Sequence, residues 1–113
     1  MRIAAAQTAP VWGDREATTA RVIEWIERAA HDGVDLVAFG ETFLSGYPFW
    51  VARTDGARWE AEEQKAAYAF YLEAAVALDG PELSNIAATV AQTGVFTYLG
   101  ITERSPSRGT VYA

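Results

Sequence analysis

A chain of 113 residues, half of them hydrophobic, has enough apolar material for one core, and a single domain is the starting assumption. Nine basic against fifteen acidic residues leave a formal charge of -6, which gives no basic footprint for nucleic acid or an anionic membrane surface. With no cysteine and one histidine, a disulfide framework, a thiolate metal site and an all-histidine site are excluded, so no metal is expected.

Ile3 to Thr8 has the length of a strand, although three consecutive alanines weaken it. Its short apolar run is interrupted by Gln7 and does not form a secretory signal, and no window is long and apolar enough to span a bilayer. A cytoplasmic protein is the expectation. Asp14 is placed to cap a helix with Glu16 in its first turn, and Val22, Ile23, Ile26, Ala29 and Ala30 form an apolar stripe that Gly33 closes. Val34 to Phe39 is a nearly continuous apolar run, the pattern of a strand covered on both faces. Strand, helix and strand in this order imply parallel neighbours, so the second strand ends in a loop on the same edge as Ala9 and Pro10. Gly40, Glu41 and Thr42 fall in that loop.

From Gly46 to Gly56 turn residues alternate with aromatics, which predicts a structured loop with one helical turn. Trp59 to Leu78 reads as a helix with Tyr68, Leu72 and Ala75, and Tyr71 and Leu78, on adjoining apolar rows. Asp79-Gly80-Pro81 stops it and starts another, in which Leu83, Ile86, Ala87 and Val90 repeat until Gly94. Alternation from Val95 to Thr102 predicts a strand, and Ser105 to Gly109 turns the chain into a last strand at Thr110 to Ala113. There is no internal repeat or linker, and the last strand stops almost as it begins, which reads as truncation of a larger domain.

The strongest local signal is Phe39-Gly40-Glu41-Thr42-Phe43-Leu44-Ser45-Gly46-Tyr47-Pro48-Phe49-Trp50. It sets a carboxylate after an apolar strand, with no basic neighbour and with a Gly-Tyr-Pro turn and bulky aromatics behind it. Apolar surroundings are one way a carboxyl group is brought into the working range of a general base, and Glu41 is the candidate.

This segment resembles the signature around the catalytic glutamate of the nitrilase branch of the carbon-nitrogen hydrolase superfamily, where a strand ends in Pro-Glu or Gly-Glu and a Gly-Tyr-Pro turn follows. The stretch from Ile3 to Val11, the Ala-rich helix with Gly33-Val34-Asp35-Leu36-Val37 behind it, and Gly100-Ile101-Thr102-Glu103-Arg104 are similar to further family blocks in the family's order. The resemblance covers essentially the whole chain.

It implies an α/β fold, the N-terminal part of a four-layer α-β-β-α sandwich, with a Glu-Lys-Cys site and a further glutamate nearby. Glu41 would take the proton of the cysteine thiol, and the thiolate would attack a nitrile carbon to give a covalent thioimidate. One water then displaces ammonia. A second, again activated by Glu41, hydrolyses the thioester to the carboxylic acid, while the lysine stabilises the tetrahedral charge. The resemblance implies a small-molecule nitrile substrate, no cofactor, the remainder of the same domain as partner, and a homo-oligomeric parent.

The chain departs from the pattern in having no cysteine, and the family's lysine, cysteine and second glutamate fall beyond Ala113, so by itself it is expected to be inert. Lys65, its only lysine, stands in a helix soon after Glu41 and reads as part of a solvated face. Tyr47, Phe49 and Trp50 either line the substrate entrance or pack the loop, since aromatics serve both ends, and Thr42 is a further pocket candidate. His31 complements a helix dipole. Trp12, Trp25 and Trp59 are assigned to core or subunit contacts, and Glu103 with Arg104 to an ion pair at a hairpin.

The Gly46 to Trp50 turn resembles nitrilases more than amidases or carbamoylases, which ranks nitrile hydrolysis first and an amidase or cyanide-degrading relative second. A non-catalytic α/β binding module of flavodoxin type is the reading from another class. Ala9-Pro10-Val11-Trp12-Gly13, standing where a Gly-rich phosphate loop belongs, argues against it. An assembly fragment that needs the rest of its domain is a third.

Overall fold

A computed structural model describes residues 1–56, 58, 60–106 and 110–113. In chain order its elements are β1 (Ile3–Ala5), α1 (Arg15–His31), β2 (Leu36–Ala38), α2 (Trp50–Arg53), α3 (Glu62–Ala74), α4 (Pro81–Thr93), β3 (Phe96–Tyr98), β4 (Glu103–Arg104) and β5 (Val111–Tyr112). The first three strands form a parallel sheet in the order β1-β2-β3, and β4 and β5 form an antiparallel pair.

Local chemistry sets the helix ends. The Asp14 carboxylate accepts the Ala17 N–H at 2.9 Å, Arg28 and His31 occupy the last turn of α1, and Gly33 follows its end at φ +67°. Pro81 starts α4 behind Gly80, and Gly94 ends it at φ +70°. The predicted stripe of α1 is buried at Val22, Ile26 and Ala29, joined by Thr18 and Thr19. Their hydroxyls are satisfied by the backbone, Thr18 donating to the Asp14 carbonyl and Thr19 to the Arg15 carbonyl. Polar residues used this way do not show in an apolar pattern.

Both crossovers of the sheet advance in one direction, so α1 and α4 lie on one face and pack together. Val22, Ile26 and Ala29 of α1 and Ile86 of α4 meet Val37, Phe39 and Val95 there, with Phe43 and Leu44 from the following loop. The register sets Ala4, Val37 and Thr97 side by side on the helix-covered face. On the other face stand Ile3, Leu36 and Phe96, then Ala5, Ala38 and Tyr98. Ile3, Phe96 and Tyr98 are 60%, 64% and 67% exposed, so the expectation that β2 is covered on both faces is corrected. One layer of helices covers one face.

The strands are also shorter than predicted. After β1 and β2 the ladder continues only through Ala6 N–H to the Ala38 carbonyl and Phe39 N–H to the Tyr98 carbonyl, both 2.8 Å. Helix α3 ends at Ala74 and not Leu78, because Val76 is drawn into a parallel bridge: its N–H donates to Thr102 O (2.9 Å) and its carbonyl accepts from Arg104 N–H (2.8 Å). Tyr71 and Ala74 are buried, whereas Tyr68 and Leu78 are exposed. The predicted helix start at Trp59 and the turn residues Ser107, Arg108 and Gly109 lie outside the described residues. The predicted hairpin pairs Glu103 with Tyr112 and Arg104 with Val111.

Arg15 ties three helices together. Its guanidinium donates to the Glu73 carbonyl (2.7 Å) and Ala75 carbonyl (3.3 Å) at the end of α3 and pairs with Glu82 (2.8 Å) in the first turn of α4. Among the described residues no helix is long and apolar enough to cross a membrane.

An apolar sheet face without cover and an unpaired β3 edge together favour self-association. The 1–113 chain is therefore expected to sediment as concentration-dependent oligomers, and the double variant Phe96→Lys, Tyr98→Lys to shift toward monomer. Sedimentation of the unmodified chain as a cooperative monomer at micromolar concentration would contradict this.

Candidate active site

The chain leaves the sheet after Phe39, and Glu41 to Ser45 form a turn beyond the carboxyl end of β2. Because β1, β2 and β3 run parallel, this is the edge at which all three strands end and where ligands of open parallel sheets are usually bound. The position predicted for Glu41 is the one observed.

Two buried side chains anchor the turn. Phe43 is packed against Phe39 with ring centroids 5.2 Å apart, and Leu44 has no exposed surface. Backbone and side-chain bonds fix the rest: Leu44 N–H donates to Gly100 O (3.2 Å), Gly46 N–H to Phe43 O (3.2 Å), and the buried Ser45 hydroxyl to Ala74 O (3.0 Å). Gly100 lies flush against the turn. A Cβ there would stand 2.3 Å from Gly40 O, 2.6 Å from Thr42 N and 2.8 Å from Glu41 Cα.

Thr42 is the costly residue. It adopts φ +50°, a region that β-branched side chains rarely enter, at a cost of about 1–3 kcal/mol. Its side chain is 4% exposed and its hydroxyl has no hydrogen-bond partner, which costs roughly another 1–3 kcal/mol. Glu41, one residue earlier, is exposed, and among the described residues its carboxylate makes no hydrogen bond or ion pair. The apolar surroundings expected for this carboxylate from the sequence around it are thus not found, which is a correction. Among the described residues nothing covers the strand ends from the far face of the sheet.

Behind the turn the aromatics gather around Trp12. Its ring lies 5.3 Å from Phe49, 6.2 Å from Trp50 and 5.1 Å from Phe70, and its indole N–H donates to Tyr47 O at 3.3 Å. Trp50 is buried edge-on against Tyr71 at 5.0 Å, and the Tyr71 hydroxyl in turn shares a 2.6 Å hydrogen bond with Thr102. Trp50 thus holds the loop down, while Tyr47 and Phe49 offer exposed rings, with the Arg53 guanidinium 5.6 Å over Phe49. Trp12, expected in the core or a subunit contact, is 38% exposed and is the hub of this cluster. Trp25 is partly buried against the core, with Arg28 over its ring, and Trp59 lies outside the described residues.

Lys65 is exposed and paired with Glu60 at 2.6 Å and Glu62 at 3.1 Å; these two carboxylates raise its ammonium above its ordinary 10.5. It is a solvated cation, as predicted. Glu103 and Arg104, expected as an ion pair, are strand neighbours that leave opposite faces of β4, and no ion pair joins them among the described residues. Clefts of about 460 and 570 Å³ are both lined in part by Arg15, and Glu41 lines neither. Among the described residues no group of three or more His, Cys, Asp or Glu side chains is arranged to hold a metal ion.

Gly100 and Trp12 were not singled out from the sequence as parts of the site. Both lie in segments that follow strands ending on the Glu41 edge, Gly100 soon after Tyr98 and Trp12 further along the loop after β1, and that placement is the signal that marks them.

The sequence model of the family described as carbon-nitrogen hydrolase matches residues 2–113. The chain is 41% identical over 108 residues to "Nitrilase 2" from an unknown prokaryotic organism, spanning 95% of this chain and 33% of that protein. It is 42% identical over 87 residues to "Nitrilase blr3397" of Bradyrhizobium diazoefficiens, spanning 77% and 26%. To an "Arylacetonitrilase" of Aspergillus niger it is 30% identical over 103 residues, spanning 91% and 29%. The chain therefore spans about a third or less of the length of these relatives.

Gly46, at φ +85°, offers a test of the loop's construction, because a Cβ there would meet Trp12 Cδ1 at 2.3 Å. Gly46→Ala combines a strained backbone with displacement of the aromatic hub and is expected to cost roughly 2–4 kcal/mol, read by denaturant unfolding with tryptophan emission. An unchanged unfolding midpoint would show that the Trp12 packing does not hold the turn.

Proposed function

We propose that this chain, which belongs to the carbon-nitrogen hydrolase family, supplies the general base of an enzyme that hydrolyses organic nitriles to carboxylic acids and ammonia. The observation that carries the reading is the place of Glu41: a single carboxylate on a pinned turn beyond the carboxyl ends of three parallel strands, within a stretch similar to proteins named nitrilases. The whole enzyme needs the remainder of its domain, because a thiol nucleophile is not among these residues.

Glu41, free of any ion pair among the described residues, is available to accept a thiol proton from a cysteine brought over the strand ends by that remainder. The thiolate adds to the nitrile carbon and the nitrile nitrogen gains a proton, giving a thioimidate. Water adds to that carbon, ammonia departs carrying the nitrogen, and a thioester is left. Glu41 then takes a proton from a second water, which displaces the thiolate and releases the acid. Closure of the remainder of the domain over Glu41 would exclude bulk water and strengthen each of these proton transfers.

Tyr47 and Phe49, exposed on the same loop, are the rings we assign to the substrate entrance, with Trp50 fixing their backbone. An amidase or cyanide-degrading activity would use Glu41 in the same way. Incubation of the full-length protein with simple aliphatic and arylaceto nitriles separates them: acid and ammonia support the nitrilase reading, and hydrolysis confined to amides or cyanide overturns it.

In the full-length protein, Glu41→Gln keeps the side chain's size and removes the base. Turnover is expected to fall roughly a hundredfold to ten-thousandfold, with substrate binding much less affected. Lys65→Ala is expected to leave nitrile hydrolysis nearly intact, in keeping with an exposed, carboxylate-paired lysine. Activity of Glu41→Gln within a few-fold of the parent would remove Glu41 from the mechanism.

A further inference from the structure

We infer that Gly100 is a positioning residue that sets where the Glu41 carboxylate stands, an inference that rests on the general-base reading of Glu41. The turn at Glu41 meets the segment after β3 backbone to backbone. All three atoms that a Cβ at position 100 would strike, Gly40 O, Thr42 N and Glu41 Cα, are main-chain atoms, and none can rotate aside. Restoring ordinary contact of 3.4 Å or more requires the turn to retreat by about 1 Å, a displacement large enough to spoil proton transfer from a reacting group. Only glycine lets the turn sit this deep.

Thr42 is the residue that this depth strains. The turn stays down although Thr42 must hold φ +50° with a buried, unpartnered hydroxyl. It is held there from both sides, by the Leu44 N–H bond to Gly100 O and by the Ser45 hydroxyl bond to Ala74 O. A loop free to choose its conformation would release Thr42 to negative φ and carry the adjoining Glu41 peptide with it. The strain at Thr42 is thus a measure of how firmly the turn is seated beside Gly100.

The test is made in the full-length protein with three variants. Gly100→Ala pushes the turn back, and Thr42→Gly relieves the strained φ while leaving the bonds to Gly100 and Ala74 in place. Gly94→Ala is the control: it places a side chain at φ +70° with nothing within 4 Å of its Cβ, far from the turn in the chain. Gly100→Ala is expected to lower kcat by roughly ten- to hundredfold with KM within about twofold, and Thr42→Gly, which relieves the strained φ, to raise the melting temperature. Gly94→Ala is expected to lose melting temperature and keep kcat. Parental kcat in folded Gly100→Ala, with Glu41→Gln inactive, would overturn this inference alone. Full activity in Glu41→Gln would overturn the general-base reading instead. If Gly100→Ala does not fold, Ser45→Ala, which removes the bond from the turn to Ala74 O, takes its place, and parental kcat in that variant overturns the inference.

Discussion

Three parallel strands that advance in one direction need two crossovers of the same hand, and both must then lie on the same face of the sheet. From that constraint follows the packing of α1 on α4, the burial of Val37 between them and the exposure of Phe96 and Tyr98 behind it. It also gathers the carboxyl ends of β1, β2 and β3 on one edge, so that the loops after Ala5, Ala38 and Tyr98 share a neighbourhood although they are far apart in the chain. Glu41 and Gly100 are there for topological reasons before any side-chain chemistry is considered.

Within that edge, opposing free energies of similar size meet. Burial of Phe43 and Leu44 stabilises the turn by about 1.5–3 kcal/mol each, while Thr42 destabilises it through its backbone and its unpartnered hydroxyl by a few kcal/mol. The turn is held down by its apolar anchors and by bonds to Gly100 and Ala74, against the local preference of one residue. Strain of this kind beside a candidate reacting group is common, and it locates the place where rigidity is being maintained.

What was legible in the sequence divides along the same line. The Asp14 cap, the Val22, Ile26 and Ala29 stripe, the Pro81 start and the Gly94 stop are local signals, and each was realised. So was the loop position of Glu41, because a parallel strand pair determines it. What escaped was set by partners distant in sequence. The end of α3 depends on Val76 meeting Thr102, the lone covered face of β2 depends on where both crossovers pass, and the hub role of Trp12 depends on Phe49, Trp50 and Phe70 arriving around it. The openness of Glu41 depends on how far the domain extends over the strand ends, which no local pattern encodes.

The contact between Gly100 and the Glu41 turn also sets an order of events during synthesis. Glu41 leaves the ribosome roughly sixty residues before Gly100, which at ordinary elongation rates is a delay on the order of 3–12 s. Throughout that interval the turn has neither the Gly100 carbonyl to bond nor the flat surface to rest on, and Thr42 has no reason to hold its unusual backbone angle. The geometry around Glu41 therefore cannot be complete until the segment after β3 has been made, by which time β1, α1 and β2 have all been synthesised. The nascent chain carries its acid long before it has a place to put it.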